Sequence, residues 1–275
     1  VFVHKNVEVS LIRLEHNLSS FKNKKIRHLH LGLTHKCVLQ CSECARTYQT
    51  GPTRDLLDWT KYKQVIDRST DILLCGNWGD PIYYSKLFEL CSYIKKKSWW
   101  QKQGPRSILM HTNGTGQTPE WWSKFGSILD ERDNIIFSID GTLSSSANYR
   151  INSNRISIVN GIIHLRSVCS AQLVWKHLVF AYNIDTVGTV IDQARALKFD
   201  RVEFVHAFTD NKPENYIAWN VEDVKSHIYQ HFKYLEDIHH TTVDKLLPIK
   251  SREDEWDKWI KVDLRYWPNA SPETI

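Results

Sequence analysis

No apolar run in this chain approaches the length that a membrane-spanning helix needs, so a helical span is excluded from the reading. The opening residues, Val1-Phe2-Val3-His4-Lys5, lack the basic-then-apolar pattern of a secretory signal. Low-complexity tracts and fixed-period repeats are missing too, which sets aside linkers and repeat arrays. Without a secretory segment, and in a chain of 275 residues, the six cysteines do not read as a disulfide framework. These absences lead to the expectation of a reducing, cytoplasmic setting and no membrane partner. Neither sign of charge dominates: 36 Lys and Arg against 31 Asp and Glu leave a formal +5. That excess is compatible with an anionic substrate or nucleic acid, and equally with an ordinary solvated surface. The remainder, 41% hydrophobic and 24% charged, is that of a globular chain long enough to bury a sizeable core as one domain. Eleven tryptophans are many; most read as packing residues and a minority as candidates for lining a groove.

What is present is concentrated. Cys37-Val38-Leu39-Gln40-Cys41-Ser42-Glu43-Cys44 places three of the six cysteines within eight residues, spaced C-x3-C-x2-C, just after an apolar run. Thiolates bind soft metals, and a compact loop can wrap three of them around one [4Fe–4S] cube. Three ligands leave the fourth iron open to a small molecule. Zinc is the competing reading, although structural zinc usually takes two spaced pairs of ligands; His35 would have to complete the set from two residues away.

Along the chain, short apolar runs alternate with helical patterns. Residues 7–29 are charged and irregular, suited to a hairpin or lead-in. Ile26 to Thr34 predicts a first strand that ends just before the cysteines. A helix over Thr60 to Ser69 and a strand over Asp71 to Cys75 follow. Ser85 is a candidate N-cap for a helix reaching about Lys97, on which Leu87, Leu90, Cys91 and Ile94 recur at helical spacing. Cys91 therefore reads as a small buried hydrophobe. Strands are expected at Ser107–His111, Asn134–Ile139, Leu173–Ala181 and Arg201–His206. Helices are expected over Pro119–Leu129, Ile156–Val168 and Thr186–Leu197, and Asn220 is a candidate cap for a helix from Val221 to about Ile238. Six strand-then-helix units argue for an α/β fold with a parallel sheet, either doubly wound or a partial barrel.

In such folds ligands gather at the carboxyl ends of strands. The second strand is followed by Cys75-Gly76-Asn77-Trp78-Gly79-Asp80-Pro81, a tight turn with acceptors at Asn77 and Asp80. An ordinary turn with Asp80 capping the next helix accounts for the same letters. The third strand runs into His111-Thr112-Asn113-Gly114, where Asn-Gly is a common turn pair. The fourth ends in Phe137-Ser138-Ile139-Asp140-Gly141; Ser138 and Asp140 share strand parity, and a buried Asp needs a partner. Tyr149-Arg150 lies in the following loop. The fifth strand ends near Asn183 and carries His177, which reads as a satisfied core histidine. The sixth offers Glu203 and His206 as candidate proton-handling groups facing a substrate.

The cysteine spacing, with these strand ends in this order, resembles the radical S-adenosylmethionine (radical SAM) enzymes over roughly residues 26–210, closest in motif to the branch that modifies peptides and proteins. The resemblance implies an α/β partial (β/α)6 TIM-like barrel with a helical C-terminal extension: a lead-in over 1–25, the barrel over 26–210, and a helix and tail over 211–275. Cys37, Cys41 and Cys44 would hold a [4Fe–4S] cluster, and S-adenosylmethionine would bind its open iron. Gly76, Asn77, Gly79 and Asp80, where Gly-Asp-Pro stands for the family's Gly-Glu-Pro, would meet the amino group of S-adenosylmethionine. Asn113 would border it, Ser138 and Asp140 would approach its ribose or the substrate, Arg150 its carboxylate, and Asn183 its adenine or ribose. A peptide or protein is the implied substrate, with a nucleoside or small metabolite as the alternative and a donor such as flavodoxin or ferredoxin supplying electrons. A non-enzymatic Fe–S or zinc module binding nucleic acid is the rival of a different class. Two departures stand out. Glu43 occupies a place that is usually aromatic or large and apolar, and no cysteine follows Cys169, so no auxiliary cluster is expected in these residues.

Overall fold

The computed structural model describes residues 8–10, 26–42, 44–48, 53–75, 79–96, 106–206, 223–228, 230 and 260–263. The strands are β1 (Glu8–Ser10), β2 (Ile26–Leu31), β3 (Ser69–Leu74), β4 (Ser107–Thr112), β5 (Asn134–Ser138), β6 (Gln172–Val179), β7 (Arg201–His206) and β8 (Ile260–Asp263). Their order along the sheet is their order in the chain, and the pairings described are parallel. A doubly wound sheet reverses direction at a switch point, and this one does not, so the fold is the α/β partial barrel. No helix among the described residues is long and apolar enough to cross a membrane.

The chain divides into two compact units, Val1–Phe137 with Ile151–Gln172, and Ser138–Arg150 with Leu173–Glu273. In the first, β1 to β5 pair in sequence. Leu29, Ile72 and Ile108 stand abreast in register and are fully buried, and so do Leu31, Leu74, Met110 and Ile135 one step further along. α1 (Lys63–Ile66) is one turn of helix after a 3₁₀ turn at Trp59–Tyr62, so the helix expected over Thr60 to Ser69 is shorter, and Ser69 already belongs to β3. α2 (Leu87–Lys95) buries Leu87, Leu90, Cys91 and Ile94 as their spacing predicts. Ser85 does not cap it, because its hydroxyl donates to Asp55 instead.

α3 (Pro119–Gly126) begins with Thr118, whose side chain accepts from the Trp121 amide at 3.2 Å, and with proline in its first turn. α4 (Arg155–Val168) is capped by Asn154, which accepts from Ser157 at 3.0 Å. α3 and α4 meet where Gly161 leaves room for the Trp122 indole; a Cβ there would stand 2.8 Å from Trp122 Cδ1. Beneath them a polar knot closes the amino ends of the strands. Fully buried Asp133 accepts from Lys95 Nζ at 2.9 Å and from the Ile108 and Asp130 amides at 2.8 Å each.

The second unit carries β6, β7 and β8 with α5 (Val187–Ala196). Trp175, His177, Val202 and Phe204 are fully buried, the ring of His177 meeting that of Phe204 edge-on at 5.6 Å. The outer strands correct one expectation and add a strand. Residues 8–10 do not form a hairpin arm with the first expected strand, because β1 pairs with β2 in parallel. The tail contributes β8, parallel to β7. Of the helix expected over 221–238, residues 223–228 are helical and most of the rest lie outside the described residues.

Candidate functional site

The cysteine loop leaves β2 and is tied at its root to a second segment. Thr34 bridges to Asp55, its hydroxyl donating to Asp55 Oδ1 at 2.9 Å, while Lys36 Nζ pairs with the same oxygen at 3.1 Å and Ser85 donates to the other. Burial pushes the Asp55 carboxyl up, but the bonds from Ser85, Lys36 and Thr34 outweigh it and hold the group below the usual carboxylate range. Within the loop, the Cys44 amide donates to the Cys41 carbonyl at 3.1 Å and the Arg46 guanidinium to the Leu39 carbonyl. Leu39 and Cys41 are buried; Cys37 and Cys44 are half-buried, and none of the six cysteines forms a disulfide.

The ends of β3 and β4 grip this loop from the other side. Gly79 passes so close to it that a Cβ would fall on the Thr34 carbonyl oxygen and stand 2.9 Å from both His35 C and the Lys36 oxygen; only glycine fits. The Asp80 amide donates to the Lys36 carbonyl at 2.9 Å. Asp80 itself is buried. Its Oδ1 accepts from Ile82, capping the 3₁₀ turn at Pro81–Tyr83, and its Oδ2 accepts from the Thr112 hydroxyl at 3.1 Å and the Asn113 amide at 2.6 Å. Asn113 then turns its side-chain Nδ2 toward Cys37 Sγ at 3.5 Å, while its Oδ1 accepts from Thr115 at 2.8 Å. Burial, and next the Asp80 charge, push the Cys37 thiol up to about 11 despite the Leu39 amide and Arg46. Burial likewise pushes the Tyr83 phenol upward; its hydroxyl donates to the Thr115 carbonyl.

The residues fit a thiolate-bound cluster. Three cysteines share one short loop, an amide donor already faces one sulfur, and Arg46 brings positive charge close to Cys37. Among the described residues no three His, Cys, Asp or Glu side chains close around the single point that a lone ion would need. The cysteines of a cube bind different irons and do not converge in that way.

The second unit holds its own polar group. Asp140, fully buried, accepts from the Leu178 amide at 2.7 Å and faces Arg150 Nε at 2.7 Å in an ion pair too misaligned for a hydrogen bond. His177 Nδ1 accepts from the Gly141 amide at 2.9 Å, leaving the ring proton on Nε2, and burial lowers its pKa to about 4. The Asn183 side chain accepts from Phe180 at 2.7 Å and donates to the Leu178 carbonyl at 3.0 Å, closing the turn after β6. Tyr149, Phe180 and Tyr182 form an aromatic row beside it, with Phe180 and Tyr182 stacked at 5.3 Å.

Of the residues singled out in the sequence, Cys37, Cys41, Cys44, Gly79, Asp80 and Asn113 come together in the first unit, and Asp140, Arg150 and Asn183 in the second. Ser138 ends β5, half-buried. Glu203 sits in mid-strand rather than at the strand mouth, paired with Arg201 Nη2 at 2.9 Å; His206 ends β7, its side chain outside the described residues. Gly76, Asn77 and Glu43 also lie outside them. Asp55 and Tyr83 were not anticipated; Thr112 was read only as part of the Thr112-Asn113-Gly114 string at the end of the strand. Neither Asp55 nor Tyr83 carried a local signal, since each is tied to the site from a distant part of the chain.

A strictly sequential parallel sheet with a three-cysteine loop after β2 is the fold that radical SAM enzymes have. Solved structures agree with it. S-adenosylmethionine-bound SuiB of Streptococcus suis is 11% identical with a TM-score of 0.59, over 87% of this chain and 50% of that one. anSMEcpe with bound AdoMet and Cp18Cys peptide is 14% identical at 0.57, over 86% and 62%. A radical SAM methyltransferase from Sphaerobacter thermophilus is 12% identical at 0.56, over 87% and 66%. SuiB also matches as its complex with the precursor peptide SuiA. The chain thus spans about half of SuiB and under two thirds of the other two. No family model and no curated protein matches the sequence.

Proposed function

We propose that the chain is a radical SAM enzyme in which Cys37, Cys41 and Cys44 hold a [4Fe–4S] cluster, with a peptide or protein as substrate. The observation that carries the reading is the tie from Asp80 through Asn113 to the Cys37 sulfur, which joins two strand ends to the cysteine loop. When bound, the cluster would give one electron to the sulfonium of S-adenosylmethionine, breaking a C–S bond to leave methionine and a 5′-deoxyadenosyl radical that takes hydrogen from a substrate carbon.

The chain's own residues prepare this. Cys37 must lose its proton on loading, and the Asn113 amide and Arg46 favour the resulting thiolate. Asp80 acts on the strand ends and holds Asn113 in place. Gly76, Asn77 and Gly79 supply backbone for the cofactor's amino group. The Asp140–Arg150 pair fixes the loop that follows β5. Glu203 and His206 are left for proton handling at the substrate. Peptide substrates are supported by the two structural neighbours captured with peptides.

The test is anaerobic reconstitution with iron and sulfide, then dithionite with S-adenosylmethionine. 5′-Deoxyadenosine is expected from the parent, and Cys41→Ala should lose both the visible cluster absorbance and the product. A Cys41→Ala chain that cleaves as well as the parent would overturn the ligand assignment.

A further inference from the structure

One hydrogen-bond donor at the site points at a cysteine sulfur and is not free to turn away. The Asn113 side chain is buried in the turn that follows β4. Its Oδ1 accepts from the Thr115 amide at 2.8 Å, and a main-chain N–H can only donate, so the oxygen end of the side chain must face Thr115. That leaves the amino end toward Cys37 Sγ, 3.5 Å away. The turn itself is pinned on both sides of this side chain. The Asn113 main-chain N–H donates to Asp80 Oδ2 at 2.6 Å, and the Gly114 amide donates to Thr112 Oγ1 at 3.0 Å.

A thiol sulfur accepts a hydrogen bond only weakly, so this donor matters most when the sulfur carries charge. Asp80 opposes it: after burial itself, the buried Asp80 carboxylate is the largest influence raising the Cys37 pKa, while the Leu39 amide and Arg46 lower it. Reducing a cluster adds one electron, and part of that charge falls on the thiolate sulfurs. A donor aimed at a sulfur therefore favours the reduced state over the oxidised one, and more strongly where water is kept away.

We propose that Asn113 tunes the cluster: its bond to Cys37 Sγ holds the reduction potential above the value that the Asp80 charge would otherwise impose. The inference rests on the function proposed above and goes past it, from how Cys37 loads to how readily the loaded cluster takes an electron. Asn113 acts here through Cys37, as a positioning residue whose effect needs no contact with S-adenosylmethionine. An Asn113 that served the turn alone would leave the potential unchanged once the cluster had loaded.

The test is a potentiometric titration with dithionite, followed by the electron paramagnetic resonance of the reduced cluster, on anaerobically reconstituted chains without S-adenosylmethionine. Three variants are set beside the parent, each with its iron content and thermal melt. Asn113→Ser keeps a hydroxyl that can accept from Thr115 but is too short to reach the sulfur. Asn113→Asp keeps the oxygen for Thr115 and puts a second oxygen where the amide nitrogen stood. Tyr83→Phe removes a bond to the Thr115 carbonyl in the same turn and leaves the Asn113 donor in place. At the parent's midpoint, Asn113→Ser should hold about tenfold less reduced relative to oxidised cluster, a midpoint about 59 mV more negative for one electron. Asn113→Asp should lie lower still, and Tyr83→Phe should match the parent. Parent-like midpoints in both Asn113 variants, or a Tyr83→Phe shift as large as that of Asn113→Ser, would overturn the inference. So would loss of iron from both Asn113 variants, which would make Asn113 a loading or folding residue. A parent that loads no iron refutes the ligand assignment and this inference together. A loaded parent that yields 5′-deoxyadenosine, with variants that keep its midpoint, refutes the tuning role alone.

Discussion

At the scale of single residues, Gly79 shows how little room the site allows. Its missing Cβ is the space taken by the backbone of residues 34–36. Gly79→Ala should push the cysteine loop off the ends of β3 and β4, costing about 1–3 kcal/mol of stability and lowering the iron retained on reconstitution; a thermal melt and an iron assay on the same preparation check both. His177 sets an acid limit. Its pKa in the fold is about 4, against an ordinary value near 6.5, because burial disfavours the charged ring. Below pH 6.5 the unfolded chain takes the proton first. Stability is therefore full above that pH and falls as the pH drops toward 4, by up to about 3 kcal/mol from this group. Denaturant midpoints between pH 7 and 4 should show the decline, and His177→Gln should flatten it. The cysteines were legible at this scale because three identical reactive groups sat in one short stretch. The ties to Asp55 and Tyr83 were not, since each joins residues far apart in sequence and leaves no local pattern.

Between elements, two contacts decide whether the helices seat. Gly161 lets α4 lie against Trp122 on α3, so Gly161→Val should lose about 1–3 kcal/mol and shift tryptophan emission. The Lys95 ammonium is the counter-charge for fully buried Asp133 and also meets Asp130 at 2.8 Å. Lys95→Met leaves a buried carboxylate without it and should cost about 3–5 kcal/mol at neutral pH. Burial already raises the Asp133 pKa, and losing the cation raises it further. The penalty should therefore shrink as the pH falls and Asp133 takes up a proton, which a pH series of melts on parent and variant would show. Helices with strong apolar spacing, such as α2, were legible in the sequence. The broken helix before β3 was not, because its cap positions carry no side-chain capping bond.

Across the molecule, six expected strands appear in their expected order, each a run of apolar residues long enough to be read. β1 and β8 escaped notice because they hold three and four residues and owe their strand form to a neighbour's edge rather than to their own composition. In the first unit β1 to β5 each lie beside the strand made just before. A chain emerging from the ribosome can thus add every new strand to an edge already laid down, without waiting for a distant partner to be translated. The cysteines, following the second strand in that sequence, would have to wait for the third and fourth to close over them.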